Sequence, residues 1–384
     1  MKKNIKYLFV LSLMIFAISG LSFGAQSPEV CITALVDVGK YSRAIHIMAM
    51  LLVGFGFLMV FVKKYGRSAL TATYLLVSIA IPMYFLKDNF FTVGSPDVLI
   101  DKLILAEFAA ASLLIAAGAV LGRLKMNQYI LLGLLFVPFY AFNEWLLLSG
   151  KFALVPSFVD TGGSIIIHAF GALFGLGVAI AMTTKAESEV AIESDETSDR
   201  YSLLGSMVLW IFWPSFCSAL VSPELVPLTA INVVFALCGS TLATYFATVK
   251  LRGKISAADI ANAALAGGVA IGAICANTVP GIAFLVGIIA GFISTFGFAV
   301  IQSKLQKLTN KVDSCGVLNL HGLPGLFGGL VALLVVTGIN VKAQLFGIGI
   351  TVVLALVSGL ISGLIISLLG RRKTPYMDAE EFIL

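Results

Sequence analysis

Histidine carries one hydrogen-bond donor and one acceptor on a single neutral ring, and this 384-residue chain has only three. Two of them share a setting. Residues 160–175 read DTGGSIIIHAFGALFG and residues 313–328 read DSCGVLNLHGLPGLFG. Both fit D-x-x-G-x-x-x-x-H-x-x-x-x-L-F-G, with an offset of 153 residues between copies. His168 and His321 are therefore the leading candidates for chemistry. Both stand in apolar segments, where an ionisable residue is a functional hypothesis by default. Hydrocarbon disfavours the imidazolium, so both rings are expected to be neutral. Two neutral rings can share one N–H···N bond and leave an acceptor at one end and a donor at the other. A small molecule that both donates and accepts, such as ammonia, can pass along such a pair. A cation meets a large desolvation cost at the same point, so NH4+ is expected to lose its proton before it enters.

The elements that hold these residues follow from composition. The chain is 59% hydrophobic and 12% charged, about half the charged fraction of a soluble domain. Apolar runs near 20 residues recur along its length. This is the pattern of an all-α polytopic membrane protein. We read eleven spans near 44–62, 68–87, 102–122, 128–149, 161–184, 202–221, 226–249, 257–276, 280–303, 315–338 and 343–370. Residues 1–25, with Lys2, Lys3 and Lys6 ahead of a short apolar stretch and small residues at Gly24 and Ala25, read as a signal peptide. Such a signal places the mature N-terminus outside. Sixteen basic residues then fall in the cytoplasmic connections and six in the outer ones. This bias agrees with an outer N-terminus and an inner C-terminus.

The two motif copies open the fifth and tenth spans, so they cross in opposite directions. The expected architecture is an inverted five-helix repeat, helices 1–5 and 6–10, plus helix 11, with the functional site at the midplane. The halves cover about 44–184 and 202–338, and the last helix about 343–370, all within one transport domain over 26–384. Residues 185–200, KAESEVAIESDETSDR, read as an acidic flexible linker. Each His lies eight residues after its Asp, roughly 12 Å into the membrane at about 1.5 Å per residue. Asp160 and Asp313 have the position of helix caps, and Asp160 has cation attraction as an alternative role. Phe108 and Phe216 are open to a packing or a gating role. Glu144 attracts a cation or sits at the interface. Glu107 and Asp259 are acids at equivalent depths, and His46 has no counterpart in the repeat. Glycines such as those in AGGVAIGA and GLFGGL are expected to let helices pack closely. Five scattered cysteines form no CxxC pair. No nucleotide-binding loop, metal-ligand cluster or nucleic-acid signature occurs. No enzymatic activity and no cofactor are expected.

Over residues 43–370 the chain resembles the Rh (Rhesus) branch of the ammonium transporter family. The carriers are HIMAMLLVGFGFLMVFVKKYG at 46–66, AEF at 106–108, NEW at 143–145, the two Asp–His motifs, LWIFWPSF at 209–216 and NAALAGGVAIG at 262–272. The resemblance implies a homotrimer with one ammonia pore per subunit. In that reading His168 and His321 are the twin pore histidines, and Phe108 and Phe216 the outer phenylalanine gate. Glu144 and Asp160 belong to the outer vestibule that recruits NH4+. Methylammonium and CO2 are further permeants it suggests, and membrane lipid surrounds the trimer. The signal-like start and short tail resemble a bacterial member, set in the inner membrane. Three positions depart from the pattern. Cys217 follows WPSF where Asn is common, Leu318 replaces a frequent His, and Glu107 stands for a frequent Asp. Three other readings stay open at this point. One is electrogenic ammonium transport with separate proton passage. Another is a metal-dependent membrane enzyme. The third is a membrane haem protein with bis-His ligation by His168 and His321.

Overall fold

The computed structural model describes residues 28–62, 66–87, 98–149 and 157–383, with side chains from residue 33 onward. Residues 1–25, read from the sequence as a signal peptide, and Lys63, Lys64, Lys151 and the Cys31 side chain lie outside these residues. The described residues are helical, with no strand among them. We label the long helices α1 (28–61), α2 (Gly66–Leu86), α3 (Leu99–Ala119), α4 (Met126–Leu148), α5 (Ser164–Met182), α6 (Glu196–Cys217), α7 (Pro223–Arg252), α8 (Ala257–Ile274), α9 (Pro280–Thr309), α10 (Leu318–Val335) and α11 (Val341–Ser367). Nine of them are long and apolar enough to cross a membrane. The other two, α3 and α6, occupy the segments read from sequence as the third and sixth spans. With backbone groups satisfied inside each helix, this is a multi-pass membrane protein.

Burial separates central from peripheral helices. The apolar windows of α5 and α8 are 89% and 83% buried, against 33% for α11. The α3 residues from Ala106 to Ala119 are all buried. Neighbour relations recur between the two halves of the chain. Helix α2 packs on α3 and α4, and α7 packs on α8 and α9. Helix α11 packs along α5.

Two boundaries differ from the sequence pattern. Helix α1 begins at Pro28, well before residue 44. Lys40, which precedes the apolar run read from residue 44, pairs with Asp101 of α3 at 2.7 Å. The acidic 185–200 segment is partly helical. Thr184 caps a turn at Lys185–Ser188, and Asp195 accepts a hydrogen bond from the Ser198 N–H to start α6. Its Glu187 is fully buried, 3.9 Å from the buried Arg123.

Candidate functional site

Each histidine sits in a π-helical turn at the start of its helix. These turns are Ser164–Ala169 and Leu318–Gly322. Such turns widen the helix and re-aim side chains. The motif glycine explains where they start. Gly163 and Gly316 have φ of +79° and +67°, a left-handed conformation that glycine adopts at no steric cost. The motif aspartate then caps the turn. Asp160 Oδ2 accepts the N–H groups of Ile165 and Ile166 at 2.9 and 2.8 Å. Asp313 divides the work, with Oδ1 on Val317 N–H at 2.9 Å and Oδ2 on Leu318 N–H at 3.0 Å.

The loop before each turn is pinned to a helix from the other half. Gly162 N–H donates to Gly272 O at 2.7 Å, and Cys315 N–H donates to Gly118 O at 3.1 Å. Ser164 Oγ adds a bond to Val269 O and accepts Ala273 N–H, both at 2.7 Å. These crossed bonds bring the two turns together.

The result is a histidine pair. His168 Nδ1 and His321 Nδ1 lie 3.2 Å apart, with ring planes 8° from parallel. Both side chains are buried. One Nδ1 donates and the other accepts, so the outward Nε2 atoms carry opposite roles. His168 Nε2 has no hydrogen-bond partner among the described residues. The spacing rules out the haem reading. A haem iron held axially between two imidazoles needs about 4 Å from nitrogen to nitrogen, at about 2.0 Å per bond. No group of three or more His, Cys, Asp or Glu able to hold a metal occurs among the described residues.

Aromatic rings enclose the pair. Trp213 stacks on His168 at 5.5 Å, and Phe55 lies 6.1 Å from His321. Phe216 approaches His168 at 6.1 Å and packs on Phe108 at 4.6 Å. Phe55 lies in the GFGFLM stretch and Trp213 in LWIFWPSF, and nothing in the spacing of either segment singles these two rings out.

Two cavities flank these rings. A cavity of about 390 Å³ is lined by Phe108, Tyr140, Glu144, Asp160 and Ile167 among others. The Asp160 Oδ1 oxygen has no hydrogen-bond partner among the described residues. A much smaller one, about 20 Å³, is lined by Phe55, Leu114, Cys315, Leu320 and His321 among others. That is space for one water-sized molecule. Glu144 accepts the Tyr84 hydroxyl at 2.5 Å and lies 3.4 Å from Lys87 Nζ.

The remaining candidates stand apart from the pair. Asp259 receives a two-point bond from Arg252, at 2.7 and 2.9 Å, and the Thr248 hydroxyl at 2.6 Å. Its counterpart Glu107 is buried, and its Oε2 has no hydrogen-bond partner among the described residues. His46 stacks on Phe212 at 4.7 Å and its Nδ1 meets Ser215 Oγ at 2.9 Å. Cys217 and Cys275 are buried free thiols, and Cys275 Sγ donates to Gly272 O at 3.4 Å.

The family model described as Ammonium Transporter Family matches residues 8–381. The chain is 36% identical to the ammonium transporter Rh type A of Bos taurus, over 93% of this chain and 87% of that protein. It is likewise 36% identical to the Rh type B protein of Oryctolagus cuniculus, over 88% and 79%. Among solved structures, Nitrosomonas europaea Rh50, presented with the mechanism of conduction by the Rhesus protein family of channels, superposes with a TM-score of 0.88. Its identity is 54%, over 91% of this chain and 93% of that one.

Proposed function

The chain belongs to the ammonium transporter family, and from that premise we propose that it is an Rh-type ammonia channel with a twin-histidine pore. Ammonium is drawn into the cavity that holds Glu144 and Asp160. It leaves its proton on that side, and NH3 passes Phe108 and Phe216. It then moves along His168 and His321 toward the small cavity beside His321. The observation that carries this reading is the buried 3.2 Å contact between the two rings, placed between residues of two cavities. At any moment the pair offers one bare nitrogen and one N–H, which suits a neutral molecule that donates and accepts. The surrounding rings offer no counter-charge, so an ion at this point faces a cost of several kcal/mol.

The same reading places the chain in a bacterial inner membrane as a homotrimer in lipid, with an outer N-terminus and an inner C-terminus. It has eleven spans, in inverted five-helix halves plus a last helix. Residues 1–25 serve as its signal peptide. The matched cap-and-turn geometry at Asp160 and Asp313 supports the inverted repeat. Methylammonium and CO2 remain candidate permeants of the same path.

Substituting either histidine tests the site. His168→Leu or His321→Leu is expected to abolish or alter selective ammonia passage in liposomes, with the assembled protein unchanged on size exclusion. Wild-type flux and selectivity in both variants would remove the pair from the mechanism.

A further inference from the structure

Glu144, which lines the cavity that receives ammonium in the reading above, is already approached by an ammonium group, that of Lys87. Its Nζ lies 3.4 Å from Glu144 Oε2 and 3.9 Å from the centroid of the Tyr84 ring. Tyr84 in turn donates its hydroxyl to the same Glu144 oxygen at 2.5 Å. A carboxylate and the face of a tyrosine are the two groups that best hold a small cation outside water, by charge and by ring quadrupole. A free ammonium ion and a lysine head share charge, tetrahedral N–H geometry and size at the contact.

We propose that Lys87 is a tethered competitor for the Glu144 site, which sets how much external ammonium is needed to fill it. The side chain suits that role. It hangs on a flexible four-carbon stem and is 38% exposed, while Glu144 is 9% exposed. The acid is thus fixed in the wall, and the lysine can swing into solvent. Exchange of one ammonium for another trades like contacts for like, so the tether's effective concentration decides occupancy. If the lysine fills the site about 80–90% of the time, the apparent affinity for a free cation falls about 5- to 10-fold. The proposal rests on the recruitment reading of Glu144.

Methylammonium serves as the probe, titrated calorimetrically into the purified full-length protein. Lys87→Met is expected to bind it about 5-fold or more tightly than wild type, and Lys87→Arg, which keeps the tethered charge, to resemble wild type. In a Glu144→Gln background the Lys87→Met gain is expected to vanish. Binding by Lys87→Met that equals or falls below wild type, or no binding by either protein, overturns the proposal. So does a Lys87→Met gain that survives Glu144→Gln. Ammonium-driven alkalinisation of liposomes is measured on the same wild-type preparation. Its absence there would contradict the channel reading itself, whereas its presence with unchanged Lys87→Met affinity would contradict only the tether.

Discussion

The aspartates of the repeated motif occupy equivalent positions and do unequal work. Asp313 commits one oxygen to each of two backbone N–H groups, whereas Asp160 satisfies both with Oδ2. Its other oxygen is left over in a residue that lines the larger cavity. A cap alone needs no such surplus. Phe216 is the other residue whose role the geometry narrows, because its ring touches both Phe108 and His168. Phe216→Ala is expected to change ammonia flux, and truncation of a buried ring also costs about 3–5 kcal/mol. Phe216→Leu, which keeps more of the volume, separates the two effects. Wild-type flux in both variants would reduce the ring to packing. The histidines and aspartates were legible in the sequence because their spacing is local and repeated. Phe55 and the Tyr84–Glu144–Lys87 cluster were not, because each joins segments far apart in the chain. Lys87 in particular reads in sequence as one more loop charge.

Helices α5 and α10 position the histidines because small residues let them approach their neighbours backbone to backbone. A Cβ on Gly175 would stand 2.7 Å from Ala116 O of α3, and one on Gly328 would stand 2.1 Å from Ala270 O of α8. These two glycines are equivalent in the repeat. In hydrocarbon there is little hydrophobic drive between helices, so close contact of this kind supplies much of the association. Gly328→Val must therefore push α10 away from α8, at a cost of about 1–3 kcal/mol or more. We expect a lower thermal midpoint and a loss of conduction. Gly281→Ala, in α9 with nothing within 4 Å of the added Cβ, is the control and should leave both unchanged. Equal behaviour of the two variants would show that the α8–α10 contact is not tight. The apolar runs made most of these helices readable. The π-turns were not readable, because they depend on how the crossed bonds from Gly162 and Cys315 hold the backbone.

At the scale of the whole molecule, the ends of the helices are fastened on the side where the chain terminates. Asp378 accepts the N–H groups of Arg67 and Ser68 at 2.9 and 3.0 Å, capping α2 from 310 residues away. Tyr376 N–H donates to Gly122 O at 2.8 Å. The buried Arg123 and Glu187 join the α3–α4 connection to the segment after α5. Burial, with Arg371 nearby, draws the Lys311 ammonium below its ordinary value while its Nζ donates to Thr183 O at 2.8 Å. Helix α11 lies along α5, the helix of His168. The central claim is that what crosses between the two histidines is neutral. Reconstitution in liposomes with an internal pH dye tests this most directly. An ammonium gradient is applied first at zero membrane potential and then at a negative one. The account predicts fast, protein-dependent internal alkalinisation at the same rate under both conditions. Uptake that accelerates with the negative potential would mean that net charge crosses, and would contradict it.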